Sequence, residues 1–453
     1  MSEVQSIFPV FSYFWQLIKA WGWLILPFIF WKPFIYFWLW WRNENWLDAV
    51  YKPILLEIKI PKEVLKPIRA MESVMDSIQG SMIQPPDWWE RWIDGQVQTS
   101  ASFEIVSIGG EIHFYVRFHY PYREAIEASI YAQFPEAEIN QAEDYTKHIP
   151  QDIPNKDWDL FGADYKTIKD DHYPIKTYRS FETEQEKEEE KRIDPVSGLL
   201  EALAKIKPGE QFWIQITAEP LSDADADPGI LFGLFGKVNG SSSEWIDKGK
   251  MIRDTLARRP DSKSKPYKPM TLEAADLLIT GKMPGEEEEK KEEIIPPEMK
   301  LTPGEREIIV AFEEKMSKPA FRVHIRFIYL GKREVWFKPN FRLAFAFFNE
   351  YTTTNLNAIF PMGSSKTLTK IRKHWFFPIN RLNRRRLYLR ERKILRNYIG
   401  RYSPFFPKSG GTFVLNTEEL ASLFHFPSWV ISPVSGVSRV ETKKGPPPNV
   451  PTE

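Results

Sequence analysis

The stretch ASFEIVSIGGEIHFYVRF, residues Ala101–Phe118, decides the fold of this chain. Apolar and polar residues alternate on both sides of Gly109-Gly110, which is the pattern of two half-buried strands. A pair of glycines suits a two-residue hairpin loop, because the central residues of such loops often need positive φ angles. The sequence therefore predicts an antiparallel hairpin, and the rest of the chain is interpreted outward from it.

The segments on either side of the hairpin complete a six-element unit. On its N-terminal side, PILLEIKIP (Pro53–Pro61) predicts a strand and EVLKPIRAMESVMDSIQG predicts a helix that ends at Gly80. On its C-terminal side, PYREAIEASIYAQF predicts a helix with Pro121 near its first turn, and AEINQAEDY predicts a strand. The order β-α-β-β-α-β over about Pro53–Tyr145 predicts a ferredoxin-like split βαβ arrangement.

The second half of the chain resembles an interrupted copy of this unit. Strands are predicted at PIKTYRSFE (Pro174–Glu182), QFWIQITAEP and FRVHIRFIYL. Helices are predicted at VSGLLEALAKI, at TPGEREIIVAFEEKMS with Thr302 as its cap, and at KPNFRLAFAFFNEY. An insertion over residues 221–301 contains a helix-like piece around Trp245 and the charge run GEEEEKKEE, for which we expect disorder.

The N-terminal stretch Ile7–Trp41 has 16 aromatic residues among 35, and its only charged residues are Lys19 and Lys32. One membrane span fits if both lysines reach toward opposite interfaces, and the flanking tryptophans then occupy the headgroup regions. An interfacial helix or hairpin in one leaflet and a cleaved signal peptide are the alternatives. The predicted interface anchors are Trp15, Lys19, Trp21, Trp23, Trp31, Lys32, Trp38, Trp40 and Trp41. Positive charge follows the stretch, from Arg42 onward, which predicts a single-pass protein of the cell membrane with a cytoplasmic C-terminal body.

These patterns predict an α+β fold class: an N-terminal transmembrane helix, two ferredoxin-like α/β sandwich domains and a basic helical C-terminal region. The predicted parts are an anchor (1–50), a first domain (51–150), a second domain (151–362) with disordered acidic insertions near 182–192 and 221–301, a basic helical segment (363–412) and a C-terminal segment with a proline-rich tail (413–453).

The sequence contains no recognisable catalytic or metal-binding constellation. Its zero cysteines exclude disulfides, zinc fingers, iron–sulfur ligation and thiol nucleophiles. The run MGSSKT at Met362–Thr367 lacks the glycines of a phosphate-binding loop. The histidines His113, His119 and His324 lie on predicted strands without metal-ligand spacing, so we expect satisfied sheet residues there. We therefore expect no enzyme, no metal and no cofactor.

The basic tract Lys366–Lys408 is the strongest functional signal, with 14 lysines and arginines against the single acidic residue Glu391. The net charge of zero thus conceals a segregated distribution, since Glu-rich tracts lie at Glu182–Glu190 and Glu286–Glu293. The charge density of Arg381–Arg401 predicts an exposed helix that contacts nucleic acid or anionic lipid. The alternative is a solvated helix that pairs with the acidic tracts of the same chain. The predicted contact residues are Arg381, Arg384, Arg385, Arg386, Arg390, Arg392, Lys393 and Arg396.

The C-terminal segment contains a second candidate site. Phe413-Val414-Leu415 predicts a short strand, and Asn416 with the acidic residues after it predicts a helix N-terminus. Over Leu420–Pro427 we expect part of the seat for a partner ATPase, and the alternative is that the apolar face there is ordinary core. The predicted docking residues are Leu420, Leu423 and Phe424.

Several pieces of the chain together resemble one known family. They are WLILPFIFWKPFIYFWLWWR, LLEIKIPKEVLKPIRAME, FEIVSIGGEIHFYVRF, IYAQFPEAEI with EDYT, FVLNTEELASLFHFP and RVETKKGPPPNVP. They resemble the N-terminal region of membrane-associated ATPases from uncultured, small-genome bacteria, a region without an activity of its own. In that family a HerA- and FtsK-like motor domain follows, akin to conjugation and type IV secretion ATPases. This sequence ends at Glu453, where that motor would begin, so the resemblance implies a motor on a separate polypeptide or a split gene.

The resemblance and the missing catalytic set favour a membrane-anchored, non-catalytic scaffold that docks a HerA/FtsK-like type IV secretion or conjugation-type ATPase. The alternative is a membrane-tethered nucleic-acid-binding protein that acts through residues 366–408. The implied partners are a P-loop translocation ATPase from another chain, membrane lipids, DNA and further copies of this chain.

Overall fold

The computed structural model of the chain describes residues 19, 26–60, 66–181, 194–221, 242–257, 301–363, 367, 379–401 and 411–427. Within these ranges, it describes the backbone alone at 26–29, 32, 242–244 and 379–382.

The strands of the described ranges form one antiparallel sheet in the order β4-β1-β3-β2-β6-β7-β5-β8, with β9 also paired to β7. Their bounds are β1 (Pro53–Lys59), β2 (Ala101–Ile108), β3 (Glu111–His119), β4 (Glu138–Gln141), β5 (Trp158–Thr167), β6 (Glu210–Pro220), β7 (Ala320–Lys332), β8 (Ile359–Pro361) and β9 (Thr412–Asn416). The α-helices are α1 (Leu26–Val50), α2 (Ile68–Met82), α3 (Arg123–Gln133), α4 (Pro195–Leu203), α5 (Ser242–Leu256), α6 (Pro303–Ser317), α7 (Arg342–Glu350), α8 (Ile379–Ile399) and α9 (Thr417–Leu423), and Glu90–Asp94 forms a π-helical turn.

The sheet is built from two units with the same connectivity. The first is β1-α2-β2-β3-α3-β4, whose strands lie in the order β4-β1-β3-β2, as in the split βαβ arrangement. In the second, β5, β6, β7 and β8 repeat this order as β8-β5-β7-β6, and helices again connect β5 to β6 and β7 to β8. Strands β2 and β6 join the units as antiparallel neighbours, with Glu104 opposite Gln215. Because equivalent strands meet antiparallel, a pseudo-two-fold axis relates the two units.

Local signals explain where the elements begin and turn. Gly109 and Gly110 adopt φ angles of 60° and 98°, so the hairpin loop has the conformation that its glycine pair predicted. Thr302 and Glu305 form a capping box at the start of α6, and Asn416 and Glu419 form another at α9. These short-range predictions are therefore confirmed.

The two faces of the sheet are covered differently. Strand residues such as Phe103, Ile216 and Phe327 pack on one face in a large apolar cluster with side chains of α2, α3, α4, α7 and α9. Leu55, Val106, Trp213 and Ile328 point to the opposite face, where α8 and the segment around Tyr145 cover them. Alternation along each strand creates both faces, because successive side chains point in opposite directions.

The fold-class prediction needs two corrections. First, among the described residues no helix is both long and apolar enough to cross a bilayer, so the predicted transmembrane helix and single-pass localisation are wrong. The reason lies in α1, where Arg42, Glu44 and Asp48 occupy the C-terminal third of the helix. Second, the α+β units are not two separate sandwiches, because the β2–β6 pairing joins them into one sheet.

The first strand of the second unit was also misplaced. The predicted segment Pro174–Glu182 contains a 3₁₀ turn at Tyr178–Ser180, and the strand is instead β5. Asp159, Gly162 and Asp164 gave β5 the composition of a loop. In the structure the sheet accommodates these residues, because Asp164 accepts a hydrogen bond from Arg326 Nε at 2.7 Å.

Candidate docking site on the basic helix

Helix α8 presents a cationic outer surface. One face of this helix carries an exposed side chain at each turn, with spacings of three or four residues. These side chains are Arg385, Leu389, Arg392 and Arg396. Apolar side chains lie among the cations, since Leu389 is 54% exposed and Tyr388 is 40% exposed. We define the basic ridge as the exposed cations of α8, which are Arg384, Arg385, Arg386, Arg392, Lys393 and Arg396. Arg390, also predicted as a contact, is half-buried, and the side chain of Arg381 lies outside the described residues.

The cations of the basic ridge form no ion pair within the part of the chain that the structure describes. Arg326, Arg333 and Arg401, in contrast, all belong to ion pairs. Arg392 lies over the ring of Tyr388 at 5.1 Å and donates a hydrogen bond to the carbonyl of Asp152. The acidic tracts that were the alternative partners, Glu182–Glu190 and Glu286–Glu293, lie outside the described residues.

The inner face of α8 is apolar except for one acid. Ile394, Leu395 and Tyr398 are buried against the second face of the sheet. Glu391 shares this face and is only 8% exposed. Burial, together with the charge of nearby Asp159, raises the pKa of Glu391 to about 8 despite the neighbouring cations. A carboxyl group beneath the basic ridge is therefore largely protonated at neutral pH.

A buried ion network anchors the C-terminal end of α8. Arg401 donates from Nε and Nη2 to the two carboxylate oxygens of Glu104, at 2.8 and 3.1 Å. The same guanidinium donates to Asp144 through Nη1 at 2.5 Å and through Nη2 at 3.1 Å. Such bidentate contacts fix both the position and the orientation of the arginine. The backbone of Arg401 adopts a φ of 48°, a left-handed conformation that ends the helix.

Tyrosines and an amide complete the hydrogen bonding of Glu104. Tyr145 donates its hydroxyl to Glu104 at 2.7 Å and lies 2.8 Å from the hydroxyl of Tyr398 on α8. Ser102 and the Gln215 amide donate to the other carboxylate oxygen of Glu104 at 2.7 and 3.1 Å. Burial alone would raise the pKa of Glu104, but Arg401 and these donors outweigh it, so its pKa lies below the usual value. The carboxylate is consequently charged and fully hydrogen-bonded inside the protein.

The polar row continues across the sheet into the second unit. Cross-strand pairing places Glu104 opposite Gln215, Gln215 opposite Arg326, and Arg326 opposite Asp164. Arg326 donates to Asp164 at 2.7 Å, and its Nη2 lies 2.9 Å from His324 Nε2. Burial opposes ionisation of Asp164, yet Arg326 and His324 hold its pKa well below the usual range. Both units thus contribute to one charged layer between the sheet and α8.

The predicted histidine environments are confirmed as structural. His113 Nδ1 lies 2.6 Å from Glu57, and His119 Nδ1 accepts a hydrogen bond from the backbone N–H of Lys52 at 3.0 Å. His324 belongs to the layer described above. In the described part of the chain, no cluster of three or more acidic and histidine side chains could hold a metal ion.

The predicted docking residues Leu420, Leu423 and Phe424 do not form a surface. All three are fully buried in the apolar cluster. Phe424 packs against Phe103 and Phe114 of the sheet, with ring centroids 5.2 and 5.9 Å apart. These side chains are therefore part of the core, as the alternative interpretation of the sequence stated. The reason is that α9 follows β9 directly and turns its apolar face onto the sheet.

The structure describes only some of the predicted interface anchors. Trp15, Trp21 and Trp23 lie outside the described residues, as does the side chain of Lys32. Trp40 and Trp41 are exposed, and so is Lys19, whereas Trp31 is half-buried. Trp38 is also half-buried, because its indole N–H donates to the carbonyl of Trp92 at 2.9 Å.

Comparison with known protein families gives one match: residues 62–434 match the family described as Domain of unknown function (DUF8128). The chain belongs to this family. No curated protein matches the sequence. The family description lends no support to the secretion and conjugation roles implied by the resemblance or to the DNA binding predicted from the basic tract, so those expectations are withdrawn. The match begins after β1 and covers the rest of both structural units, together with α8 and α9.

Proposed function

We propose that this chain is a non-catalytic docking protein that binds an acidic surface of a partner protein through the basic ridge. The observation that carries the proposal is a row of exposed cations on α8 that form no ion pair in the described ranges, held in place by a buried ion network. A surface cation that is already paired gains little from a new partner, whereas none of these cations is paired among the residues that the structure describes.

A protein partner suits the basic ridge better than a polyanionic strand does. Leu389 and Tyr388 provide an apolar centre among arginines, and arginine and tyrosine are enriched in protein interfaces. The guanidinium of Arg392 covers the ring of Tyr388, which reduces the area on which a base could stack. A net charge of zero also supplies none of the long-range attraction that nucleic-acid-binding domains commonly provide.

The sequence resemblance suggests the class of partner, a P-loop translocation ATPase on another chain. The buried network supports a docking role, because it fixes α8 relative to both units of the sheet. A ridge fixed in this way presents its charges in one geometry, which lowers the entropic cost of association.

Affinity purification of the full chain from its native cells tests the proposal. We expect a P-loop ATPase to be retained by the wild-type protein and lost from the variant Arg384→Glu/Arg385→Glu/Arg386→Glu, with binding weakened at least about 100-fold. The matched control is Lys66→Glu/Lys147→Glu/Lys166→Glu, which changes the net charge equally at exposed positions outside α8. Recovery of nucleic acid in place of an ATPase, or equal loss in the control, would overturn the proposal.

A further inference from the structure

We propose that α1 is a self-association site at which two copies of this chain pair through an aromatic stripe. The aromatic stripe consists of Phe30, Phe34, Phe37, Trp40 and Trp41 of α1 and of Trp89, which lies just before the π-helical turn. This site is separate from the basic ridge and does not depend on the function proposed for it.

Five of the six rings of the stripe lie on α1. Phe30, Phe34, Phe37 and Trp41 recur at the spacing that aligns side chains along a helix. All six rings of the stripe are between 45% and 61% exposed. Single exposed apolar residues are ordinary on protein surfaces, but contiguous patches of this kind mark interaction sites.

The opposite side of α1 is fixed to the body of the protein. Ile35 is buried, and the indole of Trp38 is hydrogen-bonded to the carbonyl of Trp92. Gly95 follows the π-helical turn with a φ of 78°, and a side chain there would collide with the backbone of α1 at Arg42. These contacts hold α1 in one rotation about its axis, so the helix cannot turn its exposed rings inward while they persist.

The exposed area matches what a stable dimer needs. Six aromatic side chains, each with roughly 200 Å² of surface and about half of it exposed, offer roughly 600 Å² per copy. Two copies would bury about 1,200 Å², which lies at the lower end of the range of specific protein interfaces. An antiparallel pair of α1 helices that cross near Phe37 brings Phe34 of one copy against Trp40 and Trp41 of the other. Edge-to-face contacts between such rings add to the energy of burial. The dipoles of the two antiparallel helices also attract each other.

The charges of α1 favour a second copy over a lipid surface. Helices that lie on membranes are commonly rich in lysine and arginine on their polar face. The helix carries two cations, Lys32 and Arg42, against two anions, Glu44 and Asp48, so its formal charge is zero. A helix without excess positive charge has no net attraction to anionic headgroups, whereas self-pairing of the aromatic rings requires no cation.

Cysteine cross-linking of the full chain tests this pairing directly. The sequence has no cysteine, so any disulfide must join two introduced thiols. We expect Phe37→Cys, close to the two-fold axis, to form a covalent dimer under mild oxidation, because a disulfide requires Cβ atoms roughly 4 Å apart. Phe360→Cys is the matched control, since Phe360 is 57% exposed but lies on β8, away from α1.

Sedimentation velocity supplies the second measurement. We expect the wild-type chain to be dimeric and Phe34→Ser/Phe37→Ser to dissociate at least about 100-fold more readily with an unchanged circular dichroism spectrum. Phe337→Ser/Phe360→Ser, at two exposed positions elsewhere, should leave the dimer intact. Equal cross-linking of Phe37→Cys and Phe360→Cys would overturn the proposal. So would a monomeric wild-type chain that sediments with vesicles of phosphatidylcholine and phosphatidylglycerol, which would assign the stripe to lipid.

Discussion

The two faces of the sheet are held by different physical means. Beneath α2, α3, α4, α7 and α9 the sheet and the helices meet mainly through apolar side chains such as Phe103, Ile216 and Phe424. The buried ion pairs on this side, such as Lys315–Glu419 and His425–Asp194, lie among the helices and loops. Beneath α8 a row of charged and hydrogen-bonded groups connects Glu104 to Arg401 and Arg326 to Asp164. Apolar packing tolerates small shifts, whereas bidentate ion pairs are satisfied in one arrangement only. The first face therefore supplies most of the folding free energy, and the second determines where the basic ridge lies.

The largest expected effect comes from breaking the apolar face. Leu423→Ser/Phe424→Ser places two hydroxyls and a large cavity among fully buried side chains. We expect a loss of more than about 5 kcal/mol in the free energy of unfolding, enough to prevent folding of a typical domain. Circular dichroism and limited proteolysis would measure this loss. Leu389→Ser, at an exposed position of α8, is the control that should remain folded. A double variant that remains folded while losing its partner would restore the docking role once expected of α9.

The charged face should respond strongly to the loss of one partner. Arg401→Met leaves Glu104 and Asp144 buried without their cation, and breaking a buried pair in this way costs about 3–5 kcal/mol. Arg396→Met removes an exposed arginine from α8, the helix that precedes Arg401, and should change the free energy of unfolding by less than about 0.5 kcal/mol. Urea denaturation of both variants gives the comparison. Similar values for the two would show that Arg401 is no more than a surface charge.

The distance along the chain over which residues interact explains how much of the fold was predictable. Gly109-Gly110 and the capping residues Thr302 and Asn416 act within a few positions, so their elements were predicted correctly. Apolar periodicity also identified α4, β6, α6, β7 and α7. The joining of two units through β2 and β6 depends on contacts more than 100 positions apart, and no local pattern encodes it.

The candidate site was predicted only in part. Charge density correctly placed exposed arginines on α8, but it also suggested that the whole run to Arg401 lies outside the core. Arg401 and Glu391 are in fact buried, and only Glu104 offered a warning, as a lone charge in the apolar strand ASFEIVSI. A buried charge has no sequence signature of its own when its counter-charge is almost 300 positions away.

The smallest of the three expected effects belongs to Glu391, the acid beneath the basic ridge. Its folded-state pKa of about 8 lies above its ordinary value of 4.5, so the folded protein retains a proton that the unfolded chain releases. The free energy of unfolding should therefore fall as the pH rises from about 4.5 to 8, where this group ionises in the folded state. Glu391→Gln removes the ionisation and should stabilise the protein at alkaline pH, by an amount that solvent screening of this partly accessible group limits to about 2 kcal/mol.

The pH profile distinguishes this cause from a simple change in packing. Wild-type protein and Glu391→Gln should have similar stability well below pH 4.5, where the carboxyl group is largely protonated in both the folded and the unfolded states. The two curves should separate progressively as the pH rises and run parallel well above pH 8, where the group is ionised in both states. Glu334→Gln, which changes an exposed carboxylate after β7, should show no such separation. Urea denaturation at a series of pH values measures all three, and a constant offset between wild type and Glu391→Gln would indicate that the acid is stabilised by solvent or an ion pair.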